Sequence, residues 1–184
     1  MVPVLIIVGV LVVLGIAVAV IYNSLVAVKN RVENAYAQID VELTRRHDLI
    51  PNLVETVKGY AAHEKGTLEA VIAARNMATQ AKGPADQAQA ENVLSGALKS
   101  LFALSEAYPD LKANQGFQQL QGELATTEDR ISHSRAYYND NVRIYNEKIQ
   151  KFPTVVLAGM LHFEKSEYFE ADETQRQNVE VKFD

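Results

Sequence analysis

Eighteen consecutive residues, Val4 to Ile21, carry no polar side chain and read VLIIVGVLVVLGIAVAVI. About twenty apolar residues in a helix cross the roughly 30 Å hydrocarbon core of a bilayer. The run therefore predicts one membrane-spanning helix that ends near Tyr22. A cleaved signal peptide needs a basic leader and a small-x-small cleavage site. No Lys or Arg precedes Lys29, and no such site precedes Tyr22. A buried core helix is rarely this long and wholly apolar. Gly9 and Gly15 are six apart, so no GxxxG dimer motif is present. Lys29 and Arg31 follow the run, then Arg45 and Arg46. The positive-inside rule puts them in the cytoplasm, with the N-terminus outside. Glu33 and Asp40 dilute that signal.

All 18 basic and 23 acidic residues lie from Lys29 onward, for a formal charge of −5. Nucleic acid is an unfit partner for such a surface, because phosphate binding needs a basic face. No polybasic segment marks a site for anionic lipids. The chain has no cysteine. That excludes disulfides, thiol catalysis, zinc–thiolate sites and a lipidated N-terminal cysteine.

Four periodic segments follow the apolar run. The first keeps Tyr22, Leu25, Val32, Tyr36, Ile39, Leu43 and Ile50 at helical spacing. It starts at Tyr22, so the anchor is expected to run into it without a linker. Pro51 interrupts it, since proline lacks an N–H and disfavours helix at the residue before it. Asp48 is the expected cap of the next helix. That helix is expected over about 52–81 and stops at Gly83-Pro84. A third is expected over about 85–107, closed by Tyr108-Pro109-Asp110. A fourth, over about 114–151, is expected to be the longest, closed by Phe152-Pro153. The predicted fold class is all-α: an N-terminal transmembrane helix continuing into an antiparallel, long-helix (four-helix) bundle. The predicted organisation is an anchor at 1–22, a bundle at 23–151 and an apolar segment with a charged tail at 152–184. Val179, Val181 and Phe183 alternate like one short strand or a disordered tail. Pro51 allows a hairpin or a kink, and helix lengths favour the hairpin. With a hairpin, Phe152, Val155, Val156, Leu157, Leu161 and Phe163 lie at the membrane surface; with a kink they sit at the far end.

Catalytic signatures are absent. There is no GxGxxG, Walker lysine or GxSxG elbow. His63-Glu64 opens like a zincin motif, but position 67 is Thr. No metal, cofactor or small-molecule substrate is expected. Charges do fall on the apolar seams: Arg46, Glu64, Arg75, Glu128 and Arg135. A lone buried charge is costly, so each needs a partner. Glu128 and Arg135 are seven apart, too far to pair along one helix, so partners must come from neighbours. Fixing helix register is the preferred role for these charges, over an acid–base centre. Tyr138-Asn139 and Tyr145-Asn146 recur one heptad apart, and Tyr22-Asn23 is a third pair. A seam Tyr buries its ring while the polar groups bond outward. Interhelix glue is the favoured role, with an exposed ridge for self-association as the alternative.

Three blocks of residues resemble the LemA family signature. The first is Arg45-Arg46-His47-Asp48-Leu49-Ile50-Pro51-Asn52-Leu53-Val54 with Val57-Lys58-Gly59-Tyr60 and His63-Glu64. The second is Glu106-Ala107-Tyr108-Pro109-Asp110-Leu111-Lys112-Ala113-Asn114. The third is Thr127-Glu128-Asp129-Arg130-Ile131 with Arg135, Tyr138-Asn139, Val142, Tyr145-Asn146 and Phe152-Pro153. The resemblance covers Tyr22 to about Phe169. It implies a bacterial, membrane-anchored antiparallel helical bundle with a very short outer N-terminus, and imports no active site. His47 stands where the family often has a bulky residue, so the resemblance gives its imidazole no special role. The expected function is a non-enzymatic scaffold at the bacterial inner membrane that self-associates or recruits other membrane proteins. The alternatives are a membrane-remodelling or surface-binding protein and, further off, an enzyme built on Glu128 and Arg135.

Overall fold

The computed structural model describes residues 1–170, so the alternating residues Val179, Val181 and Phe183 lie outside the described part. Six helices and no strand occur among the described residues: α1 Val2–Lys58, α2 Lys65–Gln80, α3 Gly83–Ser105, α4 Pro109–Lys112, α5 Gln115–Gln150 and α6 Thr154–Met160. The fold is an all-helical antiparallel bundle led by a long apolar helix.

α1 has 57 residues, about 85 Å at 1.5 Å per residue. It passes Tyr22 without a break, and none of its first twenty residues is buried. An apolar helix face of that extent needs a non-aqueous surround, and its length fits a bilayer. It is the one described helix long and apolar enough to cross a membrane. These observations support membrane anchoring.

Pro51 makes neither a hairpin nor a helix end. α1 continues through it to Lys58, and the reversal falls at residues 59–64. The helix expected over 52–81 is therefore split, Asp48 lies inside α1 and caps nothing, and α1 rather than the fourth segment is longest. The physical reason lies four residues back. A proline within a helix leaves the carbonyl of residue i−4 without its N–H. That residue is His47, and Arg75 Nε of α2 donates to the His47 carbonyl at 3.1 Å. A tertiary bond replaces the missing local one.

α1 and α5 run antiparallel along most of their length, and the α2–α3 hairpin packs on the half away from the anchor. The α2–α3 turn uses Gly83 at φ 82°, a left-handed geometry that suits glycine, with Pro84 in the first turn of α3. Asn114 caps α5 by accepting from the Phe117 N–H at 2.9 Å. Two cores result. The distal one gathers Ile50, Leu53, Val57, Leu68, Val71, Leu94, Leu101, Phe117 and Leu124. The proximal one gathers Leu25, Val28, Val32, Ile39, Leu43, Ile131, Tyr138, Val142 and Tyr145.

After α5 the chain reaches the level where α1 leaves its apolar stretch. Lys148 bonds the Ser24 hydroxyl, and the Tyr22 and Phe163 rings meet edge-on at 6.3 Å. The segment after Phe152 is thus at the anchor end. The hairpin reasoning placed it there, but the reversal that returns the chain is at 59–64 rather than at Pro51.

The Pro51–Arg75 relation yields a double-mutant prediction. Arg75→Ala costs about 1–3 kcal/mol by leaving a half-buried carbonyl unpaired. In a Pro51→Ala background the new N–H takes that carbonyl, and the cost falls by at least half. Denaturant unfolding of the four proteins in detergent checks it. Equal costs in both backgrounds rule the relation out.

Candidate functional site

Between the two cores lies a polar layer. Leu43 and Ile50 bracket it on α1, and Leu124 and Ile131 bracket it on α5. Its centre is Glu91 of α3, whose side chain is 1% exposed. Arg46 Nη1 donates to one Glu91 oxygen at 2.9 Å. His47 Nε2 meets the other at 2.6 Å. A carboxylate oxygen only accepts, so that ring nitrogen carries the hydrogen. Gln87, one turn back on α3, donates to Glu91 at 3.1 Å and to the Ala78 carbonyl at 3.0 Å. Arg46 Nη2 also bonds the Ser95 hydroxyl at 2.8 Å and the Glu128 carboxylate at 2.7 Å. Two acids on α3 and α5 thus converge on one arginine of α1.

The other seam charges go elsewhere. Arg75 serves the His47 carbonyl. Glu64, at the far end, accepts from the Tyr108 hydroxyl at 3.0 Å. Burial holds the Arg135 guanidinium below its usual pKa, and it stacks on the Phe169 ring 4.8 Å away. Glu128 and Arg135 hence form no mutual ion pair. Glu91 and Ser95 were missed by the sequence reading, and His47 was given no role. Glu91 sits beside the Ala90–Leu94 stripe of α3 rather than on it. Its one signal was Gln87 and Glu91 at i,i+4 on a helix otherwise rich in Ala and Leu.

α3 packs chiefly on α2 and stands off α5, which leaves a cleft of about 430 Å³ floored by Arg46. Glu128, Arg135, Lys99 and Ser95 edge it, with Leu98, Phe102 and Leu124 as apolar wall. Its chemistry is that of a salt-bridged pocket. Ser95 accepts from Arg46, while His47 Nε2 is engaged by Glu91, so no serine–histidine dyad forms. Among the described residues no group of three or more His, Cys, Asp or Glu side chains is placed to hold a metal.

The Tyr–Asn pairs do something the sequence did not indicate. Asn139 bonds both backbone groups of Phe169, donating to its carbonyl at 3.0 Å and accepting from its N–H at 2.8 Å. Asn146 does the same to Ser166, at 2.9 Å each. Tyr138 and Tyr145 donate to the carbonyls of Glu167 and Glu164 at 2.8 and 2.9 Å. Seven helical residues advance about 10.5 Å, and three extended residues about 10 Å. The heptad repeat on α5 therefore matches an extended segment, 164–169, running antiparallel to it. The Tyr138 and Tyr145 rings are buried in the core shared with α1, with Tyr138 against the Tyr36 ring at 5.6 Å, as interhelix glue would be. Their hydroxyls and the two asparagine side chains meanwhile bind the chain's own segment.

A family model for the LemA family matches residues 35–183. That stretch holds the Arg46–Glu91 layer, the cleft and the tyrosine–asparagine ladder. The chain belongs to the LemA family. Among its LemA-family relatives, Protein LemA of Metamycoplasma hominis is 28% identical over 163 residues, covering 86% of this chain and 73% of that protein. Magnetosome protein MamQ 2 of Paramagnetospirillum magneticum is 26% identical over 175 residues, covering 81% of this chain. Magnetosome protein MamQ of Magnetospirillum gryphiswaldense is 25% identical over 174 residues, covering 80%. The matches span 64% of the length of each MamQ protein.

Two outcomes are expected from this geometry. Glu91→Ala leaves Arg46 charged, buried and short of a partner, and costs about 3–5 kcal/mol, while replacing both by Leu and Met costs much less. Denaturant melts decide, and a loss under about 1 kcal/mol for Glu91→Ala contradicts the role. Second, burial pushes the Tyr138 hydroxyl up to about 12. The unfolded tyrosine ionises near 10, so the unfolded state loses its proton first. The stability from this group is intact below pH 10 and falls as pH rises from there toward 12. Ultraviolet titration should show a late tyrosinate step that Tyr138→Phe removes.

Proposed function

We propose that this LemA-family chain is a non-catalytic scaffold, anchored by one helix, that self-associates or recruits protein partners at the bacterial inner membrane. The observation that carries this reading is the continuity of α1. One unbroken helix joins the apolar, unburied residues at its start to both cores of the bundle. A rigid junction of that kind holds a bundle at a set attitude to the bilayer, which suits presentation of surfaces. The polar layer supports the same reading, because its donors and acceptors are spent on one another. The names of the relatives, LemA and MamQ, name no reaction. The Lys29 and Arg31 flank favours a cytoplasmic bundle.

The test is the assembly state of the full-length chain. Native mass measurement in nanodiscs should give a discrete homo-oligomer, or crosslinking in native membranes a defined partner. A lone monomer in the first and no crosslinked product in the second overturn the proposal.

A further inference from the structure

We propose that the segment from Phe152 to Phe163, with α6 at its centre, is a second membrane contact that lies in the interface of the same bilayer α1 crosses. This rests on the anchored reading above and adds to it. The first ground is level. The Tyr22 and Phe163 rings touch, Lys29 Nζ sits 5.9 Å over the Phe163 ring, and Lys148 bonds Ser24. The segment is pinned within about two turns of the end of the apolar run.

The second ground is its two faces. Thr154 and Ala158 are buried, and Ala158 belongs to the same core as Leu25 and Val28. The opposite face holds Phe152 at 83% exposure and Met160 at 71%, with Val156 also exposed. These are large apolar groups with no protein cover. The third ground is charge. No charged side chain occurs from Phe152 to Leu161, while Lys151 precedes and Glu164 and Lys165 follow.

The occupant is lipid because of what the face adjoins. Through the Phe163–Tyr22 contact the segment that bears this face abuts the uncovered surface of the anchor, which itself needs hydrocarbon. Of the nearby cations, Lys151 pairs with Glu147 and Arg143 with Glu147 and Asp140, while Lys148 is held by Ser24 and Lys29 lies over the Phe163 ring. Attraction is therefore by apolar burial and not by lipid charge, the mode of an interfacial amphipathic segment.

The chain has no cysteine, so single cysteines can be labelled without removing any residue. Full-length proteins bearing an environment-sensitive fluorophore at Val156→Cys or Met160→Cys are reconstituted in phosphatidylcholine vesicles. Some of the lipid carries a nitroxide high on the acyl chain. Val13→Cys in the anchor and Glu55→Cys at the far end are the references. Labels at positions 156 and 160 should be quenched about twofold or more, in neutral lipid and in high salt alike. The label at position 55 should not. Quenching at position 13 with none at 156 and 160 overturns this proposal and leaves the anchor standing. No quenching at position 13 overturns the anchored reading, and this one with it. As a second check, Val156→Asp with Met160→Asp should abolish quenching of a label at Phe152→Cys. Both positions are exposed, so folding is spared, and persistent quenching there contradicts insertion through this face.

Discussion

Everything in the bundle is registered on a carboxylate that water cannot reach. Glu91 has two oxygens, and both are taken, one by Arg46 and one by His47. A buried ion pair is weak evidence for stability, because desolvation offsets most of its attraction. Its strength is in selecting geometry. Slide α3 by one turn against α1, and Glu91 meets Leu43 or Ile50 in place of its partners. Either outcome strands a charge in an apolar core. The layer therefore fixes which core residue faces which, as a polar seam position fixes register in a coiled coil. Apolar packing alone is tolerant of such slips, since Ala and Leu recur along α3.

The same layer explains why a proline sits within the longest helix. Arg75 binds the carbonyl of His47, the residue whose side chain binds Glu91. One residue thus ties α2 through its backbone and α3 through its ring. Pro51 frees the backbone half of that arrangement by lacking an N–H. A residue with an N–H at position 51 would compete with Arg75 for the carbonyl. The proline reads as a helix breaker locally and acts as a docking device in the tertiary structure.

That contrast shows what the sequence could tell. The anchor, the all-helical class and the approximate bounds of α5 were legible, because each depends on local pattern: an unbroken apolar run, helical periodicity and a closing proline. The course of α1 through Pro51 was not, because its compensation comes from Arg75, 28 residues beyond the His47 carbonyl it serves. Glu91 was hidden by its position beside the apolar stripe rather than on it. The Tyr–Asn repeat was visible as a pattern, and its rings do pack between α1 and α5, but the partner of its polar groups was not foreseen. A heptad repeat suggests another helix, and only geometry reveals that seven helical residues and three extended ones cover the same distance.

The ladder also resolves an imbalance in the fold. The distal half of the bundle has α2 and α3 to cover the α1–α5 seam; the proximal half has only the start of α3, through Ala88. There the cover is segment 164–169, with Phe169 buried in the proximal core and α6 below it. A segment without regular structure must have its backbone groups bonded wherever it is buried. The two asparagines meet that need, each by taking both groups of one residue. From Ile21 to Lys58 α1 rises about 55 Å, and the 36 residues of α5 descend about 54 Å. A helix that long has to bring the chain back to the foot of the bundle. The residues after Phe152 are set beside the anchor by length alone, and the ladder then leads the chain up again along α5.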